Sequence, residues 1–412
     1  MRRTEPDAAA NPYGYAVISL QWALNTLVPM VGFSVGILLP QMTEELGLTP
    51  LQAGLLGSSF FLGSLSMSLV SSVALSGFSP KRVTAVATLL GAVFVALQGL
   101  SPSFLVLLGT RFLFVISMVS RVQAEVLLVQ QWFPRNRIAV INSVSAGAGS
   151  AGQAAGVFAT PFLLLALGSW RSIYFGLSAA FVVVLALWLV IGRDREAPEA
   201  REAKQRGESP LRVLGRHKRL WLLAACPAGA ALAFSAFMTF WPTYATQTHG
   251  LSLTTVGGLM ALYPFAGIGA NLASGPFSDV VHRRKPLIWV PGLILPPAYI
   301  ALLFLGTVPL LFPVMLLTGV SAWVWVSIIR TIPFDMGLAP REIAVATGLT
   351  ATLLPIGGAS GPLIVGALLD MTGSLQTSLL AVVFFPMTLL LALFLPETSP
   401  HRTPARHTPT AT

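Results

Sequence analysis

Twelve apolar runs, each about as long as a helix that crosses a bilayer, fill this chain and leave it few alternatives. They lie near 15–40, 51–76, 83–101, 104–131, 138–167, 170–192, 220–247, 252–278, 286–306, 309–334, 343–369 and 375–396. Roughly 20 apolar residues in a helix cover the ~30 Å hydrocarbon core of a membrane. The runs are continuous rather than alternating, so they do not fit the strands of a membrane barrel. Every peptide group in lipid needs an internal partner, which leaves helices. Composition agrees. Hydrophobic residues make up 54% of the chain and charged residues 10%, against about 25% charged in soluble domains. The expected fold class is an all-α integral membrane protein with 12 transmembrane helices. The single cysteine, Cys226, excludes a disulfide framework and a multi-cysteine metal site. The first run is too long for the apolar core of a signal peptide and is expected to remain as a span.

The net charge of +10 could suggest a nucleic-acid partner, but its distribution points to the membrane instead. With the N-terminus in the cytoplasm, 21 of the 25 basic residues fall on the cytoplasmic side. They are Arg2, Arg3, Lys81, Arg82, Arg135, Arg137, nine between 193 and 219, Arg283, Arg284, Lys285, Arg341, Arg402 and Arg406. Cytoplasmic loops of membrane proteins carry this excess of lysine and arginine. Both termini are therefore expected in the cytoplasm of a multi-pass inner (plasma) membrane protein, and no nucleic acid is expected as a partner.

A charged stretch, 193-RDREAPEAREAKQRGESPLRVLGRHKR-219, divides the runs six and six. The expected organisation is an N-terminal extension at 1–14, a first half at 15–192, a linker at 193–219, a second half at 220–396 and a tail at 397–412. The halves resemble each other. Ile-Ala-Val of 134-PRNRIAV-140 recurs in 340-PREIAV-345, and Gly152 and Gly156 recur as Gly357 and Gly361, all 205 positions on. Duplicated six-helix halves imply a carrier with its site between them. The glycine runs 147-GAGSAGQAAG-156 and 357-GGASGPLIVG-366 have the small-xxx-small spacing of closely packed helices.

The segment 275-GPFSDVVHRRKP-286 resembles the loop signature of the major facilitator superfamily in its second-half copy. The resemblance assigns Gly275, Asp279, Arg283 and Arg284 to a gating loop. In the first-half copy, 72-SVALSGFSPKR-82, Ser76 stands where the aspartate would be. The resemblance implies two pseudo-symmetric six-helix halves that rock about a central site. It also implies that the first, fourth, seventh and tenth segments line the cavity, which favours Asn25 and Tyr244 among the polar residues of the spans. The others are Gln21, Asn142, Gln153, Gln247, Tyr263 and Asn271.

Four basic residues are left inside the spans: Arg111, Arg121, Arg171 and Arg330. Arg171 is expected at an outer helix end, where it caps or snorkels. Arg111 leaves packing, gating and substrate roles open. Arg121 lies 13 residues before Pro134, ~20 Å along a helix, which is mid-membrane. A charge there costs at least ~2.5–3.5 kcal/mol on insertion scales and needs a cavity or a partner. Glu125, the one acid placed deep in a span, is a turn away on the same face, and Ser117 extends the stripe. In the tenth segment Trp323, Ser327 and Arg330 form another stripe, and Arg330 falls on the repeat position of Glu125. Three readings stand. Arg121 and Glu125 only neutralise each other, or Arg330 snorkels or pairs with Asp335, or the two arginines converge on an anion. Guanidinium groups match carboxylates and oxyanions well in a dry site.

The favoured expectation is a secondary active carrier of a small organic or inorganic anion, working as a proton symporter by alternating access. In it Arg121, Arg330, Asn25, Tyr244 and Trp323 bind substrate and Glu125 couples the proton. The alternative is a proton-coupled exporter of hydrophobic or cationic compounds. No Walker-type phosphate loop and no His-Glu-x-x-His motif occurs in the sequence. An enzyme, a cofactor and a metal are therefore not expected, and the chain is expected to act as a monomer.

Overall fold

The computed structural model describes residues 12–68, 78–195, 218–281, 283–335 and 340–395. Among these residues there are helices and no strands. The first half runs α1 (Pro12–Leu46), α2 (Pro50–Ser68), α3 (Pro80–Gly99), α4 (Phe104–Trp132), α5 (Arg135–Leu167) and α6 (Trp170–Ile191). In the second half α7 has two pieces, Lys218–Ala225 and Ala228–His249. It is followed by α8 (Leu253–Val281), α9 (Pro286–Phe304), α10 (Val308–Asp335) and α11 (Pro340–Thr372). The last span, α12, is α-helical over Leu375–Leu380 and 3₁₀ over Phe385–Phe394. Among the described residues, eleven helices are long and apolar enough to cross a membrane. Their outer faces expose leucine, valine and phenylalanine, among them Leu105, Leu165, Val190, Leu272 and Phe394, as lipid contact requires. Most of the expected linker and all of the expected tail lie outside the described residues.

Two ends of the bundle can be told apart. At the linker side, where α6 ends, the Tyr13 hydroxyl donates to Ile191 O (2.6 Å), Trp188 Nε1 to Lys81 O (3.1 Å) and Trp132 Nε1 to Arg193 O (3.2 Å). At the far side Arg171 bonds Glu45 (2.8 Å), Gly99 O (3.0 Å) and Ser101 O (2.7 Å) and lies over the Trp170 ring. This is the end-capping role expected for it. Four far-side turns use left-handed glycines, Gly47, Gly168, Gly250 and Gly373, a backbone region costly for other residues. They form two repeat pairs, Gly47 with Gly250 and Gly168 with Gly373.

The duplication is visible in the packing. A Cβ on Gly152 or Gly156 would collide with the α1 backbone at Thr26 and Met30. A Cβ on Gly357 or Gly361 would collide with the α7 backbone at Ala228 and Leu232. Equivalent glycines thus fit equivalent helices together. Gly147, at the start of the first run, touches nothing, so only part of that run is packing surface.

Each half has its own hydrophobic core. The buried second-half core reaches into the first half through Ile37, Leu39, Ala53 and Val157, all in far-side parts of their helices, and Phe33 packs against it. The direct contacts between halves lie there too. Gly36 abuts Met238, Gly54 abuts Pro362 and Gly257 abuts Pro161. Ser58 donates to Ala359 O (2.6 Å), and Leu51 N donates to Asp370 Oδ2 (3.0 Å). The bundle is therefore shut at the far side.

Candidate functional site

The site forms where α4 crosses α1. Arg121 is 2% exposed and Glu125 7%, one helical turn apart. Facing them on α1 are Gln21 and Asn25, again one turn apart, so the four side chains make a ladder with two rungs. Arg121 Nη1 donates to Gln21 Oε1 and to Glu125 Oε2 (3.2 Å), and its Nη2 donates to Asn25 Oδ1. The Asn25 amide nitrogen donates to both Glu125 oxygens, at 2.9 and 3.1 Å. Gln21 hands its own amide N–H to Thr84 Oγ1 of α3 (3.2 Å). Arg121 Nε is buried and has no partner.

The charges need this cage. A carboxylate and a guanidinium taken out of water must find each other and satisfy their remaining donors and acceptors. Here they do so with two neutral amides. One cation and one anion leave the cluster without net charge. A cavity of about 500 Å³ adjoins it, with Asn25, Arg121, Glu125, Asn142 and Ser145 among its polar lining and Phe60, Val115, Met118 and Val119 among its apolar lining.

Arg111 is also buried, at 3% exposure, but it meets only neutral acceptors. These are Ser59 Oγ (3.1 Å), Gln98 Oε1 (3.3 Å), the Tyr174 hydroxyl (3.1 Å) and Gly32 O (3.4 Å). It ties α4 to α2, α3, α6 and α1, which is the packing alternative among those left open by the sequence.

The remaining expected site residues do not gather around Arg121. Arg330 is exposed and has no hydrogen bond or ion pair among the described residues. It does not line the cavity. Its neighbour in the stripe, Ser327, donates to Asn271 of α8. Trp323 is half-buried, edge-on to Phe234 (6.1 Å), and its Nε1 is buried without a partner. The Tyr244 hydroxyl donates to Leu303 O (2.7 Å), in the last turn of α9, where carbonyls lack helical partners. Tyr244 instead lines a far-side vestibule of about 690 Å³ with Thr43, Glu44 and Gln247. Of the loop signature, Gly275 is half-buried and Arg283 exposed. Arg284 donates to Thr331 of α10 (2.9 Å). The side chain of Asp279 and the whole of Ser76 lie outside the described residues.

Two features of the site went unread in the sequence. Asp194, just past α6, accepts from Lys81 N (2.8 Å) and from the Ser79 hydroxyl, so an acid from elsewhere caps the start of α3. An aromatic chain also crosses between the halves: Phe60 to Phe33 (5.6 Å), Phe33 to Phe234 (6.1 Å) and Phe234 to Tyr263 (5.2 Å). The i, i+4 spacing of Gln21 and Asn25, matching that of Arg121 and Glu125, was the signal for the ladder.

Two duplicated six-helix halves, shut at one end around a buried charged cluster and a cavity, define a multi-pass membrane carrier. The sequence profile of the Major Facilitator Superfamily matches residues 22–337, and the chain belongs to that superfamily. It is 23% identical to a probable sulfoacetate transporter of Cupriavidus necator, over 83% of this chain and 84% of the relative. It is 23% identical to a hexuronate transporter of Bacillus subtilis, over 84% and 86%. In fold it is similar to the crystal structure of a bacterial homologue of the human lysosomal transporter Spinster in an inward-facing, occupied conformation. That match has a TM-score of 0.75 and 15% identity, and covers 93% of this chain and 97% of the other.

Proposed function

We propose that this carrier moves a small organic anion together with a proton across the cell's inner (plasma) membrane, and that Arg121 receives the anion. The observation that carries the reading is the buried Arg121 beside a cavity, held by the carboxylate of Glu125. Relatives that handle sulfoacetate and hexuronate, both anions, support it. Protonating Glu125 removes the charge that holds Arg121 and gives Asn25 a donor where it now donates. Arg121 then turns its freed N–H groups to a substrate carboxylate or sulfonate, so anion and proton bind together. With the arginine-rich linker in the cytoplasm, the conformation shut at the far side is the one open inward, and an inward proton gradient drives uptake.

Arg330 joins the site in the opposite conformation. Closing the linker side moves α10 toward α4, and Arg330 stands at the repeat position of Glu125. The loop of Gly275, Asp279, Arg283 and Arg284 steadies the linker side as the halves rock.

The test is transport by the full chain in proteoliposomes with an imposed proton gradient. Proton-driven anion uptake should be lost in Arg121→Gln, and in Glu125→Gln it should no longer depend on the gradient. Gradient-driven uptake that persists unchanged in Glu125→Gln removes the coupling role. Stabilisation of the purified protein by lipophilic cations alone would replace the anion reading with cation export.

A further inference from the structure

The cavity beside Arg121 is lined by a few polar groups and by more apolar ones, which bears on the body of the anion as well as its head. The inference rests on the reading that Arg121 receives that head. Around Arg121, the groups able to hold an oxyanion are Asn25, Asn142 and Ser145, with Glu125 once protonated. The apolar wall includes Phe60, Val115, Met118, Val119, Val122 and Val126. None of those side chains carries a hydrogen-bonding group. The one hydroxyl nearby on α2, Ser64, already donates to its own helix at Phe60 O (2.8 Å).

Beyond the cavity, Phe60 is packed on an aromatic chain that leads into the second half. From Phe60 the aromatic chain runs through Phe33 to Phe234, and there to Tyr263 and Trp323. The Tyr263 hydroxyl is already engaged, by Tyr299 (2.9 Å). The body of a substrate in the cavity would therefore meet the Phe60 ring and branched alkyl groups. A polyhydroxylated acid would lose water from each hydroxyl without finding a partner. A flat ring or a branched alkyl chain would bury apolar surface and stack on Phe60. At about 500 Å³ the space is in the range of small-molecule sites.

From this wall we infer that the carrier selects a monoanion with an apolar body: a carboxylate or sulfonate on an aromatic or branched alkyl skeleton. Its head lies on Arg121 and its body lies against Phe60, Met118 and Val119. Sugar acids, with a hydroxyl on each carbon, are discriminated against.

The experiment compares benzoate, galacturonate and neutral benzyl alcohol as stabilisers of the purified full-length protein, and benzoate and galacturonate as competitors for uptake. Benzoate should bind at least tenfold more tightly than galacturonate, and benzyl alcohol should not protect. Val119→Asn, which places an amide on the apolar wall, should narrow the benzoate preference at least threefold. A benzoate preference unchanged in Val119→Asn protein that elutes as a single monodisperse peak would overturn the inference. Galacturonate binding as tightly as benzoate, with both abolished by Arg121→Gln, would overturn the inference and leave the anion reading intact. Equal protection by benzyl alcohol would also overturn it, because the head would then not be recognised. Protection by neither acid removes both readings together.

Discussion

Where Glu125 stands on α4, the second half has Arg330, and where α1 offers Gln21 and Asn25, α7 offers Leu223 and Pro227. The α1–α7 correspondence follows from the glycine contacts, which pair Thr26 with Ala228 and Met30 with Leu232. So the first half surrounds its charge with a hydrogen-bonded cage, while Arg330 has no cage and lies exposed. Yet the glycines, the left-handed turns and the helix pairings match from half to half. A glycine pressed against a neighbouring backbone tolerates no substitute, because nothing nearby can move aside. A polar pair on a helix face can change as long as its own partners change with it. Duplication has kept the packing and let the chemistry diverge.

The largest expected effect tests the cage. Arg121→Gln leaves the Glu125 carboxylate buried without its cation, and breaking one side of a buried pair costs about 3–5 kcal/mol. Thermal unfolding in detergent should show a large loss, with much of it recovered in the Arg121→Gln, Glu125→Gln double variant. A single variant as stable as the parent would mean that the first half needs no cage and that the contrast with Arg330 is empty.

Next come the shared glycines. Gly152→Ala and Gly357→Ala each force a methyl group onto a backbone carbonyl, an overpacking worth typically about 1–3 kcal/mol. The two should lower the melting temperature by similar amounts. A strongly unequal pair would show that the halves do not share one packing scheme. Asp370→Asn should be milder, about 1 kcal/mol, since it removes a negative charge from the start of α2. Its readout is faster maleimide labelling of Thr43→Cys in the far-side vestibule, as the far side opens more often. The smallest effect belongs to Arg330→Gln. An exposed side chain without partners should change stability by no more than about 0.5 kcal/mol. Transport should nonetheless fall if Arg330 meets the anion after the halves rock.

The sequence carried the bundle because lipid demands long apolar helices and duplicated glycines show which helices correspond. It carried Arg121 and Glu125 because charge inside an apolar run needs a cause. The break in α7 at Cys226 and Pro227 was not anticipated, nor was the 3₁₀ stretch that ends α12. Tyr244 illustrates what a span leaves unsaid. Its hydroxyl was equally free to face the cavity or a neighbouring helix end, and the unsatisfied carbonyls of α9 took it, as they took Trp241 (3.0 Å to Leu302 O). Arg330 was matched to Glu125 by repeat position, but such a match fixes where a residue sits on its half. How close it comes to the other half depends on which end of the bundle is shut.

The far-side seam has one more consequence. Much of it is bare peptide on peptide: Gly36, Gly54 and Gly366 against the chain opposite. Such surfaces part and meet again without any side chain having to choose a rotamer, and a long side chain ordered on closure would give up as much as about 1.5–2 kcal/mol. A seam of this kind leaves little entropy to be lost each time it shuts. The free energy of opening and closing should therefore vary weakly with temperature, even where the rate varies strongly.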